Sequence, residues 1–358
     1  MKSKFGFNSH KGLHEQLKIQ ESKNFDYSTW KSKMIKFVRE VIAFPDNFIG
    51  WYNYAIDSAS DLLVREKVDA MISTSYPVTA HLIASKLKKK YRIPWIADFR
   101  DLWTQNHYVN KYKLIKYIER RLELKTLSDA DVLVTAHPLV NVLQRLHKSK
   151  KILCITNGYD VDDFPEIQVK LTDKFTITYT GKLYNGKRDP SMLFKAVEEL
   201  INEKKIKKEL TEIRFFGCNE KWLIDEIKKY NLEGVVTVNG IIPREEALKK
   251  QRESQILLIL RWDNKNEEGI FPGKVFEYFG AKRPIIAVGS GGVIKDILEK
   301  TNAGKFAENE FALKNILFEY YREFIETGKV KYRGNINTEK YKYDSITRKY
   351  SEVLNELV

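Results

Sequence analysis

The chain has 358 residues, 43% of them hydrophobic, and 62 Lys and Arg against 48 Asp and Glu give a formal charge of +14. That length exceeds what one hydrophobic core usually serves, so two domains are expected, and the charge points to an anionic partner: nucleic acid, an anionic membrane surface or a phosphorylated substrate. Two cysteines, no metal-ligand spacing and no apolar run near the roughly 20 residues of a membrane helix argue against a disulfide scaffold, a zinc site and a membrane span.

The chain opens on a polar, Lys-rich stretch, 1–40, that reads as helix and loop, without a signal-peptide core and without a hydrophobic strand before residue 44. Short β-branched runs then alternate with helical patterns, at 68–74, 94–99, 131–136 and 151–156. The alternation resumes at 175–180, 213–217, 235–240, 255–260 and 284–289. Continuous apolar runs of this kind are buried parallel strands, and the helices predicted between them at 191–203, 221–230 and 244–252 supply the crossovers of doubly wound α/β sheets. Cys154 and Cys218 each fall in such a run and read as buried, reduced thiols.

Residues 82–125 carry 12 Lys or Arg against 4 Asp or Glu, a local excess of 8, interleaved with Tyr, Trp and Leu. Within it, 111–125 reads as a basic amphipathic helix, a pattern that suits an anionic membrane surface as well as a plain solvated face. Acidic and polar residues around Pro165 interrupt the pattern at 161–172 and mark the seam between a domain at 1–165 and one at 166–339. Asn157-Gly158 reads as a tight turn at that seam, because Asn-Gly tolerates positive φ. A last helix follows at 345–358, with Ile346, Tyr350, Val353 and Leu357 at helical spacing.

Two loops carry the chemistry. In GIFPGKVFEYFG (269–280), Lys274 and Glu277 fall on the first turn of a helix and share a face; Gly269 and Gly273 leave backbone N–H groups free for a diphosphate. Lys274 adds positive charge and Glu277 can accept from ribose hydroxyls, although KVFEY alone is equally an ordinary surface Lys–Glu pair. The second loop, YTGKLYNGKRDP (179–190), follows one strand and precedes a helix, which is where open α/β sheets receive phosphate. Gly181 suits close backbone approach, and Lys182, Lys187 and Arg188 are the candidate phosphate ligands. Trp262 and Asp263 lie between a strand and the first of these loops, so the ring either walls the pocket or packs.

In the first half, Asp98, Arg100 and Asp101 follow directly on an apolar strand, at the end where α/β ligands bind; Arg100 or Asp101 contacts substrate, or the cluster is a structural ion pair. His137 follows another strand and is a second catalytic candidate, with helix capping or packing as the alternative.

In PWIADFRDLW (94–103), DADVLVTAH (129–137) with ITNGYDVDDF (155–164), YTGKLYNGKRDP and FPGKVFEYFGAKRPIIAV (271–288), the chain resembles the family 4 glycosyltransferases, retaining enzymes of the GT-B fold. The branch it is similar to assembles bacterial surface polysaccharides. The resemblance implies two Rossmann-like, doubly wound domains facing a cleft, the first shortened at its N-terminus, with residues 340–358 crossing back onto it. It implies a nucleotide-diphosphate sugar as donor, a lipid-linked or saccharide acceptor, no metal or cofactor, and a cytoplasmic protein peripheral to the inner membrane face. Glu277 matches the second glutamate of the family's Glu-x7-Glu motif, which holds the donor ribose. The place of the first is taken by Gly269, with Glu268 one residue earlier. Lys182 stands where the family has a phosphate-binding Arg, and Lys187 or Arg188 stands near its Lys.

Family members open with a hydrophobic strand and glycine-rich loop that residues 1–43 lack, which raises a second reading: a non-catalytic or split-transferase donor-binding subunit needing a partner chain. Nucleic acid would account for the charge, but no nucleic-acid motif is present.

Overall fold

The computed structural model describes residues 30–165, 169–262, 264 and 267–358. The reading of residues 1–29 and the place of Asp263 lie outside the described residues.

Two helices, α1 (Trp30–Ile42) and α2 (Tyr52–Arg65), precede a four-stranded sheet of β1 (Met71–Ser75), β2 (Trp95–Phe99), β3 (Val132–Thr135) and β4 (Lys151–Cys154). Its strands are parallel and lie in chain order, β1-β2-β3-β4. Right-handed crossovers in that order put all the connecting helices on one face: α3 (Thr79–Tyr91), α4 (Lys113–Leu127) and α5 (Val140–Leu146). Alternation along β2 then divides the core. Trp95, Ala97 and Phe99 join Ala84, Leu127 and Leu143 beneath those helices, whereas Ile96 joins Val132 and Val134 on the other face.

That second face is covered by the C-terminal helix, which returns from the far end of the chain. Helix α12 (Tyr343–Asn355) brings Ile346 and Val353 onto Ile96, Val132 and Val134, a burial of about 1.5–3 kcal/mol per side chain. The cluster stops short of β1. Ile72, in register with Ile96, is 45% exposed, and β1 forms the sheet's edge.

The second sheet has six parallel strands: β5 (Phe175–Thr180), β6 (Thr211–Phe216), β7 (Val236–Val238), β8 (Ile256–Leu260), β9 (Ile285–Val288) and β10 (Gly304–Ala307). The helices α6 (Ser191–Asn202), α7 (Lys221–Lys229), α8 (Arg244–Arg252), α9 (Lys274–Ala281), α10 (Val293–Thr301) and α11 (Glu310–Thr327) connect and flank these strands. The order is β10-β9-β8-β5-β6-β7, so the winding reverses between β5 and β8. In an open parallel sheet the crevice outside the carboxyl ends at such a reversal is where ligands bind, and here it lies between the loops after β5 and β8.

Four expectations change on folding. Gly158 does not stand at positive φ; a Cβ there would fall 2.3 Å from both Tyr341 O and Ile346 Cδ1. The glycine lets the outgoing chain run beside the returning one, where Tyr159 N–H donates to Tyr341 O (2.9 Å) and Tyr343 N–H to Tyr159 O (3.0 Å). Cys154, at the end of edge strand β4, is exposed, and only Cys218 is buried. The basic excess of α3 is offset by acids just outside the window counted in the sequence, through Lys88–Asp131 and Lys89–Asp129 pairs.

Helix α4 departs from a simple apolar-in, charged-out pattern. Beside Ile115 and Leu127 it buries Glu119 and Glu123, and it exposes Leu114, Tyr117 and Ile118. Glu119 accepts from Trp103 Nε1 (2.9 Å) and Lys111 Nζ (2.8 Å), so Lys111 is an internal counter-ion and not part of a surface patch. Glu123 accepts from the Thr104 N–H (3.2 Å), the Thr104 hydroxyl and His147 Nε2 (3.2 Å).

Candidate functional site at the strand-order reversal

The loop after β5 turns sharply at Gly181, whose φ of +131° is open to glycine and strained for any other residue. Lys274, the first residue of α9, lies across it: a Cβ on Gly181 would be 2.7 Å from Lys274 Nζ. Among the described residues this half-buried ammonium has no hydrogen bond or ion pair. Burial pushes its pKa down, Glu277 pulls it up and the Arg188 guanidinium pushes it down again. A desolvated cation with no carboxylate in contact, near a second cation and at a helix N-terminus capped by Gly273, is an arrangement that favours an anion.

The other predicted cations of the loop go elsewhere. Lys187 Nζ sits 4.2 Å from the centroid of the Trp262 ring, and Lys182 is exposed while its carbonyl accepts from Tyr179 OH (2.8 Å). Arg188 is the loop cation whose charge acts on Lys274; its guanidinium lies over Tyr184, 4.7 Å from the ring centroid.

Glu277, one turn into α9, is fixed by Gln251, whose amide donates to its Oε1 and also to Thr180 Oγ1 (3.1 Å). Arg244 flanks its second oxygen at 4.0 Å while pairing with both oxygens of Asp163 at 2.7 Å. A carboxylate oriented by a buried amide and still partly open suits the acceptance of ligand hydroxyls.

Within the loop after β8 two adjacent glutamates face different ways. Glu268 is exposed, while Glu267 is 8% exposed and turned into the cleft. Glu267 Oε1 accepts from His107 Nε2 (2.7 Å) and from Tyr108 OH, both in the first domain. Tyr108 also stacks on Trp262 at 5.6 Å and 18°, with Tyr184 stacked on the same ring at 6.4 Å and 20°. An adjacent Glu-Glu pair on an irregular loop carries no periodicity, so nothing in the sequence tells which of the two faces inward.

No protein-family model matches the chain, and no curated protein matches it in sequence. Solved structures do match its fold. A glycosyltransferase from Rickettsia africae is 14% identical with a TM-score of 0.60, over 96% of this chain and 87% of that one. Sucrose-phosphate synthase of Thermosynechococcus elongatus is 12% identical with a TM-score of 0.59, over 86% and 78%. HepE of Anabaena, solved in complex with UDP-glucose, is 13% identical with a TM-score of 0.58, over 86% and 82%. The fold is GT-B.

Across the GT-B cleft, the first domain supplies His137 and Asp101. His137 Nδ1 accepts from the Phe271 N–H (3.2 Å) in the loop leading to α9, which leaves the ring proton on Nε2. Burial, with Arg100 adding to it, lowers the His137 pKa to about 4, so the ring is neutral at pH 7. Asp101 and His137 line a cavity of about 300 Å³ that is closed on the other side by Gly269 and Ile270. Partial burial raises the pKa of Asp101.

Arg100 stands in an ion-pair network, one of the two arrangements the sequence leaves open. Its guanidinium spans both oxygens of Asp98 at 2.8 Å, reaches Asn157 Oδ1 at 3.1 Å and bonds Tyr350 OH, which donates to Asp98 in turn (2.9 Å). Four of its five N–H donors are engaged in these bonds, which tie β2, the seam and α12 together. Among the described residues no cluster of three or more His, Cys, Asp and Glu is placed to hold a metal ion.

Proposed function

We propose that this chain is a retaining, family 4-like glycosyltransferase that moves a sugar from a nucleotide-diphosphate donor to a saccharide or lipid-linked acceptor in cell-surface polysaccharide synthesis. One observation carries the reading: the Lys274 ammonium over Gly181, in contact with no carboxylate, at the reversal of strand order. In transfer the acceptor hydroxyl oxygen bonds the anomeric carbon as the anomeric C–O bond to the donor breaks; the diphosphate leaves with that electron pair and takes up the hydroxyl proton. Lys274, Arg188 and the α9 N-terminus then meet the developing negative charge, a contribution of about 3 kcal/mol for one well-placed group. Glu277 holds the donor ribose, and Glu267 stands where a carboxylate can face the sugar. Asp101 and the Nε2–H of His137 face the acceptor side of the reacting centre. Cationic side chains supply the charge neutralisation, so the reaction needs neither metal nor other cofactor.

The same reading sets the protein against an anionic membrane on the cytoplasmic side. Its support is α4, where Leu114, Tyr117 and Ile118 point outward among Lys113, Lys116, Arg120 and Arg121. No helix among the described residues is long and apolar enough to cross a membrane.

A second reading, a donor-binding subunit completed by a partner chain, is favoured by the open edge of β1 and the exposure of Ile72. Turnover of a panel of nucleotide sugars, in the presence of a chelator and with or without proteins encoded alongside, tests both. Donor turnover by the chain alone in EDTA is expected. Donor binding without turnover until a second chain is added would favour the subunit reading, and restoration by Mg²⁺ alone would overturn metal independence.

A further inference from the structure

The chain between β2 and α4 is fastened to the first domain by a carboxylate that the proposed reaction does not use. Glu123, fully buried on α4, accepts from the Thr104 N–H (3.2 Å), the Thr104 hydroxyl and the Gln105 amide (3.1 Å). Asn106 then turns the chain, its Oδ1 accepting from the Tyr108 N–H (2.9 Å). His107 and Tyr108 follow directly on this anchorage, and both reach across the cleft.

The first crossing is polar. Glu267 Oε1 accepts from His107 Nε2 (2.7 Å) and from Tyr108 OH. The backbone around Glu267 is fixed from its own side: Arg261, 6% exposed, donates to the Glu267 and Ile270 carbonyls, and the Val293 N–H donates to Glu268 O (2.9 Å). Among the described residues, the hydrogen bonds to the Glu267 carboxylate itself come from His107 and Tyr108 alone. Its own domain holds the loop; the other domain aims the charge.

The second crossing is aromatic. Tyr108 stacks on Trp262, whose carbonyl accepts from Ser290 Oγ (2.8 Å), and the same ring carries Tyr184 and Lys187 from the loop after β5. Tyr184 and Asn185 stand at φ of +53° and +54°, a left-handed turn that is strained for a bulky side chain and persists only where its surroundings hold it. The rings and cations around Trp262 supply that hold.

We propose that His107 and Tyr108 are positioning residues for the donor side. With the first domain seated against the second, they aim the Glu267 carboxylate, and through the Tyr108–Trp262–Tyr184 stack they set the turn that carries Lys187 and Arg188. The half of the protein that receives the acceptor thereby prepares the half that holds the donor, without itself touching substrate. The assignment rests on the transferase reading and adds to it the residues that couple its two domains.

The test, on the full ligand-free chain, is amide hydrogen exchange read by mass spectrometry over residues 182–188, in the domain opposite the substitutions. Tyr108→Leu, which deletes ring and hydroxyl, should speed exchange there about tenfold or more, whereas Tyr108→Phe, which keeps the stack, should show the wild-type rate. Tyr108 is 48% exposed, so both variants should keep the wild-type melting temperature. A side chain that serves only its own domain would leave exchange at 182–188 unchanged in Tyr108→Leu, and that result overturns the coupling to the loop. Calorimetry with UDP-glucose and UDP as probes reads Glu267. Tyr108→Phe and His107→Leu should each weaken UDP-glucose about three- to tenfold and leave UDP unaltered, with His107→Gln, which keeps an N–H donor, near wild type. Equal effects on the two ligands, or none, overturn the role at Glu267. A wild-type chain that binds neither ligand counts against the donor reading, while the exchange result, which needs no ligand, still decides the positioning.

Discussion

The side chain of Lys274 occupies the space that a side chain on Gly181 would need, since a Cβ on that glycine would fall only 2.5 Å from Lys274 Cε. The two residues are 93 positions apart in sequence, and each makes sense only with the other. Gly181→Ala should therefore act like Lys274→Met: both should weaken a nucleotide-diphosphate sugar about 10- to 100-fold while leaving the bare nucleoside unaffected. Gly181→Ala should also cost about 1–2 kcal/mol of stability from the positive φ. Calorimetry with sugar nucleotide and nucleoside side by side checks this; equal losses for both ligands would count against a diphosphate contact.

Glu277→Ala removes an acceptor from the ribose and strands the Gln251 amide. A loss of about 1–3 kcal/mol in nucleotide affinity is expected, together with a lower melting temperature because Gln251 is fully buried. Glu277→Gln separates the effects, keeping much of the packing while changing the hydrogen-bond pattern. Unchanged nucleotide affinity in Glu277→Ala would sink the ribose assignment.

His137 makes the domain contact sensitive to acid. Its pKa in the fold is about 4 against 6.5 in an unfolded chain, so between those values the unfolded state binds more protons. The associated stability is complete above about pH 6.5 and is lost as pH falls toward 4. Buried His81, lowered to about 3, has the same sign. Melting temperatures recorded from pH 7 to 4 should fall, and His137→Asn should remove part of that slope while leaving the part due to His81. A variant with the wild-type slope would show that His137 titrates normally.

On α4 the basic residues should sort by burial. Lys113→Glu/Arg120→Glu/Arg121→Glu should release the protein from anionic vesicles in flotation at low salt without changing nucleotide binding, at about 1 kcal/mol per charge. Lys111→Glu should do something different. It leaves buried Glu119 without its counter-ion, so a stability loss of about 3 kcal/mol is expected. Wild-type protein that ignores anionic vesicles would remove the membrane face from the reading.

Nine of the ten strands were legible as continuous apolar runs; β2, β3, β5, β8 and β9 are buried throughout, and a parallel strand covered on both faces has no polar side to show. The tenth, β10, is only Gly304–Ala307, and its extended form depends on pairing with β9, which no local pattern announces. The phosphate loop and the Lys274 helix were equally readable, since glycine, a cation and a helix start are local chemistry.

Chain order alone did not decide which cation meets which loop. The Arg188 charge acts on Lys274, and Lys187 lies over Trp262, because the sheet reverses between β5 and β8, and only the assembled sheet brings those two loops together. The same holds for Arg100, drawn into a network with Tyr350 by the returning α12, and for Lys111, drawn inward by an α4 that buries its carboxylates. Composition and spacing determined that the protein is an α/β chain with two glycine-bearing, basic loops at strand ends. Which charges are free to act and which are consumed inside was decided by tertiary structure, because an ion's availability depends on neighbours that sequence distance does not reveal.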